Sequence, residues 1–173
     1  MTSRVASILI LVAVTLCSCS GPVLRSDLLS TGIHNASMAQ VSQDPSQYQG
    51  RIFILGGAII SSTLLEAGSL VEAVQIPVDS NGYLKEGEAS TGRFLAFYPK
   101  EFGVLDPVVY RGGRRITLAG KLTGTRLGKI DEMEYAFPYF EIIQVYLWDE
   151  GRPDRSVPFP FSIGIGIGVG TRW

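Results

Sequence analysis

The chain has 173 residues, enough for one domain with a sizeable core, and its formal net charge of -1 gives it no overall attraction for nucleic acid. One histidine, His34, and two cysteines, Cys17 and Cys19, exclude most thiol, metal and Ser-His chemistries. The 20 glycines and 9 prolines are spread along the chain and favour short strands and tight turns over long helices.

Arg4 is followed by a mostly apolar run over residues 5–16. That run is too short for a ~30 Å hydrocarbon core, which a helix crosses in ~20 residues, and it suits the apolar region of a secretory signal. Leu16-Cys17-Ser18-Cys19 comes next. A disulfide between cysteines two apart is strained, and a thiolate metal site has no further cysteine to draw on. The stretch resembles the bacterial lipobox, with Leu16 at the aliphatic place, Ser18 at the small one and Cys19 as the modified residue. The resemblance implies a signal peptide over residues 1–18, cut between Ser18 and Cys19, and S-diacylglycerol plus N-acyl chains on Cys19. Ser20 stands where an Asp usually holds Gram-negative lipoproteins in the inner membrane, which favours the outer membrane. At ~0.8 kcal/mol per buried CH₂ one chain holds marginally, whereas three make a permanent anchor.

Residues 19–35 show no clear periodicity and are expected to form a lipidated N-terminus and tether, with His34 a solvated linker residue. Residues 36–150 are expected to form the folded domain. Residues 36–50 suit a short helix and then a turn in which Pro45 opens a helical turn. The first strand is predicted over 51–60, with Gly56-Gly57 marking a bulge or bend. The second, over 69–78, alternates Leu70, Glu72, Val74 and Ile76 against Val71, Ala73 and Gln75. Asn81-Gly82 signals a turn. A third strand over 92–98, with Phe94 inward, stops at Pro99. Asp106 to Tyr110 suits one helical turn, and strands over 114–122 and 139–148 follow.

Residues 50–59 align without gaps to 113–122, sharing Gly-Arg, a Leu and a Gly, as two long bent strands at related places in a closed sheet would. The order β-β-β-short helix-β-β is that of the OB-fold, so the expected class is all-β, a small closed OB-like barrel with a short helix.

No chemistry-bearing motif completes itself. A Gly-x-Ser-x-Gly elbow does not occur. Residues 123–130 miss the phosphate-loop pattern twice, at Thr123 and Ile130. Gly164, Gly166, Gly168 and Gly170 alternate too strictly for a dinucleotide signature. Asp131, Glu132 and Glu134 read as a solvated face rather than a calcium site. Arg111, Arg114 and Arg115 form a basic cluster expected to meet acidic loops or lipid headgroups. Phe94, Phe97, Tyr98, Tyr139, Tyr146 and Trp148 read as core and rim rather than a sugar platform. No catalytic residue, cofactor or metal is expected. Residues 151–173 form a Pro/Gly-rich tail in which Ile163, Ile165, Ile167 and Val169 alternate with glycine. One such strand cannot cross lipid alone, so it is expected to pair with a sheet edge of this molecule or a partner.

Residues 56–60, 70–82, 90–124, 128–138 and 146–148 together resemble the Slp family of outer-membrane lipoproteins, known as starvation-inducible. The most specific blocks are Gly-Arg-Phe-Leu-Ala at 92–96, Leu-Asp-Pro-x-x-Tyr at 105–110, Gly-Lys-Ile at 128–130 and Leu-Trp at 147–148. The tail departs from the Tyr-, Pro- and Gly-rich ends common in that family. The resemblance implies a non-enzymatic lipoprotein, anchored in the outer membrane through Cys19, facing the periplasm and supporting the envelope in starvation or stationary phase. Its expected partners are outer-membrane lipid, other envelope proteins or a second copy through the tail, and no nucleic acid. The alternative function is a periplasmic small-ligand or glycan binding module on the OB-like face.

Overall fold

The computed structural model of the chain describes residues 21–150, so Cys17, Ser18, Cys19 and the tail at 151–173 lie outside the described residues. In chain order the elements are α1 (Ser26–Thr31), β1 (Ile33–His34), α2 (Met38–Gln43), a 3₁₀ turn (Pro45–Tyr48), β2 (Ile52–Leu65), β3 (Gly68–Ile76), β4 (Arg93–Pro99), a 3₁₀ turn (Lys100–Phe102), β5 (Arg115–Ile130) and β6 (Met133–Leu147). The expected short helix after residue 36 and the Pro45 turn are both present.

β2 pairs antiparallel with β3, β3 with β4, and β6 with β5, while β4 runs parallel to β6. The circuit β2-β3-β4-β6-β5 closes because β2 also pairs with β5, from Ile52↔Lys121 to Ala58↔Arg115. Five strands closed in this order make the OB-type barrel expected from the sequence. The two segments that echo each other in sequence are the strands that close it. β2 can serve two neighbours because it is 14 residues long and bends: its first half faces β5 and its second half β3.

The bend is not where the double glycine suggests. The register shift falls between Ile59 and Ser61. Gly56 and Gly57 instead mark close approach: a Cβ on Gly56 would lie 2.5 Å from the Ile76 carbonyl oxygen, and one on Gly57 3.1 Å from the Phe94 ring.

Phe53, Phe94 and Phe140 fill the barrel, the Phe140 ring meeting Phe53 at 5.3 Å and Phe94 at 6.0 Å, both edge-on. On β3, Ser69, Val71, Ala73 and Gln75 point inward, and Leu70, Glu72, Val74 and Ile76 point out. α2 plugs the barrel with Met38 and Val41, and the Thr91 hydroxyl accepts from the Met38 amide at 3.0 Å.

The tether expectation fails over residues 22–35. Leu24, Leu28 and Leu29 are buried with Ile54, Val78, Leu84 and Ala119 in a second core on the outer side of the β2–β5 pair. Leu28 and Leu29 lie on the buried face of α1 and Leu24 just before it, a helix of 6 residues that is too brief to show a helical period in the sequence. His34 likewise is no linker residue: it sits in β1, half-buried, with Nε2 2.8 Å from the Leu29 carbonyl oxygen.

Candidate functional site: an open aromatic face on the barrel

The inward packing of β3, β4 and β6 sends the other parity to the surface. β4 presents Arg93, Leu95 and Phe97 there, flanked by Leu70 and Glu72 of β3 and by Tyr139 and Glu141 of β6. Cross-strand register brings them together: Leu70 lies opposite Phe97, Glu72 opposite Leu95, and Leu95 opposite Tyr139. The Phe97 and Tyr139 rings are stacked, with centroids 6.4 Å apart and planes 22° from parallel. The Arg126 guanidinium lies 3.8 Å above the Tyr139 ring centroid, a cation held on a π face. Beside them Arg93 donates to Glu72 at 3.0 Å, both side chains partly shielded from solvent.

Burial pushes the Tyr139 phenol above its ordinary pKa, Arg126 opposes the rise and Glu141 adds to it. The hydroxyl therefore stays a neutral hydrogen-bond donor at physiological pH. The face thus offers a flat aromatic surface, a fixed cation and a polar pair within a few residues.

Two hairpins frame it. The β2–β3 hairpin ends in exposed Leu64 and Leu65. The β5–β6 hairpin runs past the barrel to Ile130↔Met133, turning at Asp131, whose φ is 54°, and carries Leu127, 86% exposed, and Met133, 76% exposed. Sequence reasoning missed this arm, ending one strand at 122 and beginning the next at 139. Past the barrel only Phe137 and Pro138 are buried, so the alternation that signals a strand lapses. The usable signal was Lys129 facing Glu134 across a two-residue turn, with Arg126 facing Phe137 further along the arm.

The other singled-out residues settle elsewhere. Phe94 is core, Tyr98 is half-buried at the barrel end, and Trp148 packs edge-on against Tyr146 at 4.9 Å. The basic cluster is engaged within the chain: Arg111 and Arg114 pair with Glu150, and Arg115 pairs with Glu86. Asp131, Glu132 and Glu134 remain exposed on the hairpin, and among the described residues no group of three or more His, Cys, Asp or Glu is placed to hold a metal.

A family model described as the outer membrane lipoprotein Slp family matches residues 16–165. The chain belongs to that family. Among similar curated proteins, the uncharacterized lipoprotein YeaY of Escherichia coli K12 is 30% identical over 111 residues, 64% of this chain and 55% of that protein. An uncharacterized protein of Haemophilus influenzae Rd is 32% identical over 95 residues, 54% of this chain and 50% of that one. Outer membrane protein Slp of E. coli K12 is 32% identical over 114 residues, 65% of this chain and 57% of that protein. The chain thus spans about half the length of the curated relatives it matches. Among solved structures, the yeast mitochondrial single-stranded DNA binding protein Rim1 aligns at 10% identity and TM-score 0.33 over 57% of this chain and 95% of that one. At that distance the likeness carries no functional weight.

In this Slp-family chain the blocks that carry the resemblance sit at joints of the barrel. Gly92, with φ of 138°, lets β4 begin where a Cβ would lie 2.6 Å from the Tyr135 hydroxyl. Asp106 organises the turn before β5: its carbonyl accepts from the Tyr110 amide at 2.8 Å and its carboxylate from the Val108 amide at 2.8 Å. Trp148 closes β6 by donating its indole N–H to the Thr117 hydroxyl at 3.0 Å. These residues hold the face in shape and take no part in it.

Proposed function

We propose that this Slp-family protein is a non-enzymatic envelope module, anchored in the outer membrane through acylated Cys19, facing the periplasm and supporting the envelope in starvation or stationary phase. The family match supports the membrane and the lipoprotein class. The observation that carries a binding or bracing role is the open β3–β4–β6 face, an aromatic surface left outside both cores and framed by two long hairpins. Ligand faces of OB-type barrels use this position, between the second and third strands and the hairpins beside them; this is a fold-level analogy.

Cys19→Ser is expected to abolish acylation and leave unprocessed precursor in the inner membrane, while Cys17→Ser still yields lipoprotein. Palmitate labelling followed by membrane fractionation checks it, and label on the Cys19→Ser protein refutes the anchor.

The Arg126-Tyr139-Phe97 stack favours a second reading, a glycan or other small ligand, because aromatic faces pack against sugar rings while Arg93 and Glu72 supply polar contacts. Tyr139→Ala should then weaken sedimentation with purified peptidoglycan sacculi by about tenfold, the factor that ~1.4 kcal/mol represents. Equal sedimentation of variant and parent, or none by either, removes this reading.

A further inference from the structure

We propose that the anchored barrel does not swing free of its membrane: the β2–β5 side is apposed to phospholipid headgroups and the open β3–β4–β6 face points away from them. The proposal rests on the reading of Cys19 as the acylated residue. Only Ser20 separates Cys19 from Gly21, and Gly21 is already part of the fold. The Tyr83 hydroxyl donates to the Gly21 carbonyl at 2.9 Å, the Val23 amide donates to the Asn81 carbonyl at 2.9 Å, and Leu24 is 2% exposed.

Two residue steps span roughly 7 Å when fully extended. The surface around Gly21, Pro22 and Asn81 is therefore held within that reach of a cysteine whose acyl chains enter the bilayer. The side chains there suit a headgroup layer. Tyr83 and Trp148 lie together there, ring centroids 5.6 Å apart and planes tilted by 50°, and tyrosine and tryptophan are enriched at membrane interfaces. An open cleft of about 470 Å³ lies next to them, walled by Pro22, Leu29, His34 and Asn81.

The direction of the open face follows from the strand circuit. In the closed order β2-β3-β4-β6-β5, β4 lies across the barrel from the β2–β5 junction. That junction is the one that α1 and the docked N-terminal segment cover. A short anchor fastened to one side thus presents the other side outward, with no further hinge between Gly21 and the barrel.

The test uses the full mature lipidated protein in phosphatidylethanolamine/phosphatidylglycerol vesicles containing a phospholipid with a nitroxide on its headgroup. Cys17 leaves with the signal and the Cys19 sulfur is acylated, so Asn81→Cys and Glu141→Cys each supply one free thiol for a fluorophore. Quenching is expected to be severalfold stronger at position 81 than at 141. Equal quenching, or stronger quenching at 141, in protein that floats with the vesicles would overturn the orientation and leave the anchor standing. Protein that fails to float removes the anchor, and this proposal with it. A twelve-residue Gly/Ser insertion after Ser20, whose r.m.s. span is roughly 19 Å, should bring the two positions together; a difference that survives it rules out the short reach as the cause.

Discussion

Phe94→Ala should lower the stability of the folded domain by about 3–5 kcal/mol, a large part of the ~5–15 kcal/mol typical of a domain. Phe94 is fully buried near the start of β4, meets Phe140 edge-on, and packs so close to Gly57 that a Cβ there would lie 3.1 Å from its ring. Removing the ring leaves Phe140, which also meets Phe53, facing a void. The closed sheet cannot collapse to fill it, because the strands on every side are tied into the barrel by two neighbours each. Urea unfolding measures the effect as a fall in midpoint at unchanged slope. A midpoint equal to that of the parent would mean that Phe94 does not fill the barrel.

Leu28→Ala should cost about 2–5 kcal/mol, and this is the result that separates a docked N-terminal segment from a tether. Leu28 is 4% exposed and packs in the second core with Leu24, Ile54 and Ala119. If the segment detaches before the barrel unfolds, the loss appears locally, as faster tryptic cleavage after Arg25 in the otherwise folded protein. In a true tether the substitution would change neither the thermal transition nor the cleavage rate, and that pair of results would refute the docking. The proposed membrane orientation depends on it as well, since only a docked segment would transmit the position of an acylated Cys19 to the barrel.

The amino-acid sequence by itself determined the class of the protein and the order of its strands. The β-branched and aromatic run over 51–60, a stop at Pro99 and turn chemistry at Asp79 and Gly82 are local features, and local sterics and hydrogen bonding express them wherever the chain goes. The Asp79 carboxylate accepts from the Asn81 and Tyr83 amides at 2.8 and 2.9 Å, a turn that needs no distant partner. The resemblance of residues 16–19 to a lipobox and the family resemblance are equally local, since recognition of this kind reads residue types in order.

What the sequence left open was which side of each strand faces in, and only the tertiary structure decided it. β3 carries apolar residues on both parities, so periodicity could not choose between Leu70, Val74 and Ile76 on one side and Val71 and Ala73 on the other. The choice was made by which parity meets the core built around Phe53, Phe94 and Phe140, contributed by three other strands. The open face is the consequence of that choice: Leu70, Phe97 and Tyr139 come outward together because antiparallel pairing of β3 with β4 and parallel pairing of β4 with β6 set their register. The docking of residues 22–35 has the same origin. Leu24, Leu28 and Leu29 have no partner within the segment, and the surface that buries them, Ile54, Ala119, Val78 and Leu84, exists only once β2, β5 and the loop after β3 have closed around the barrel.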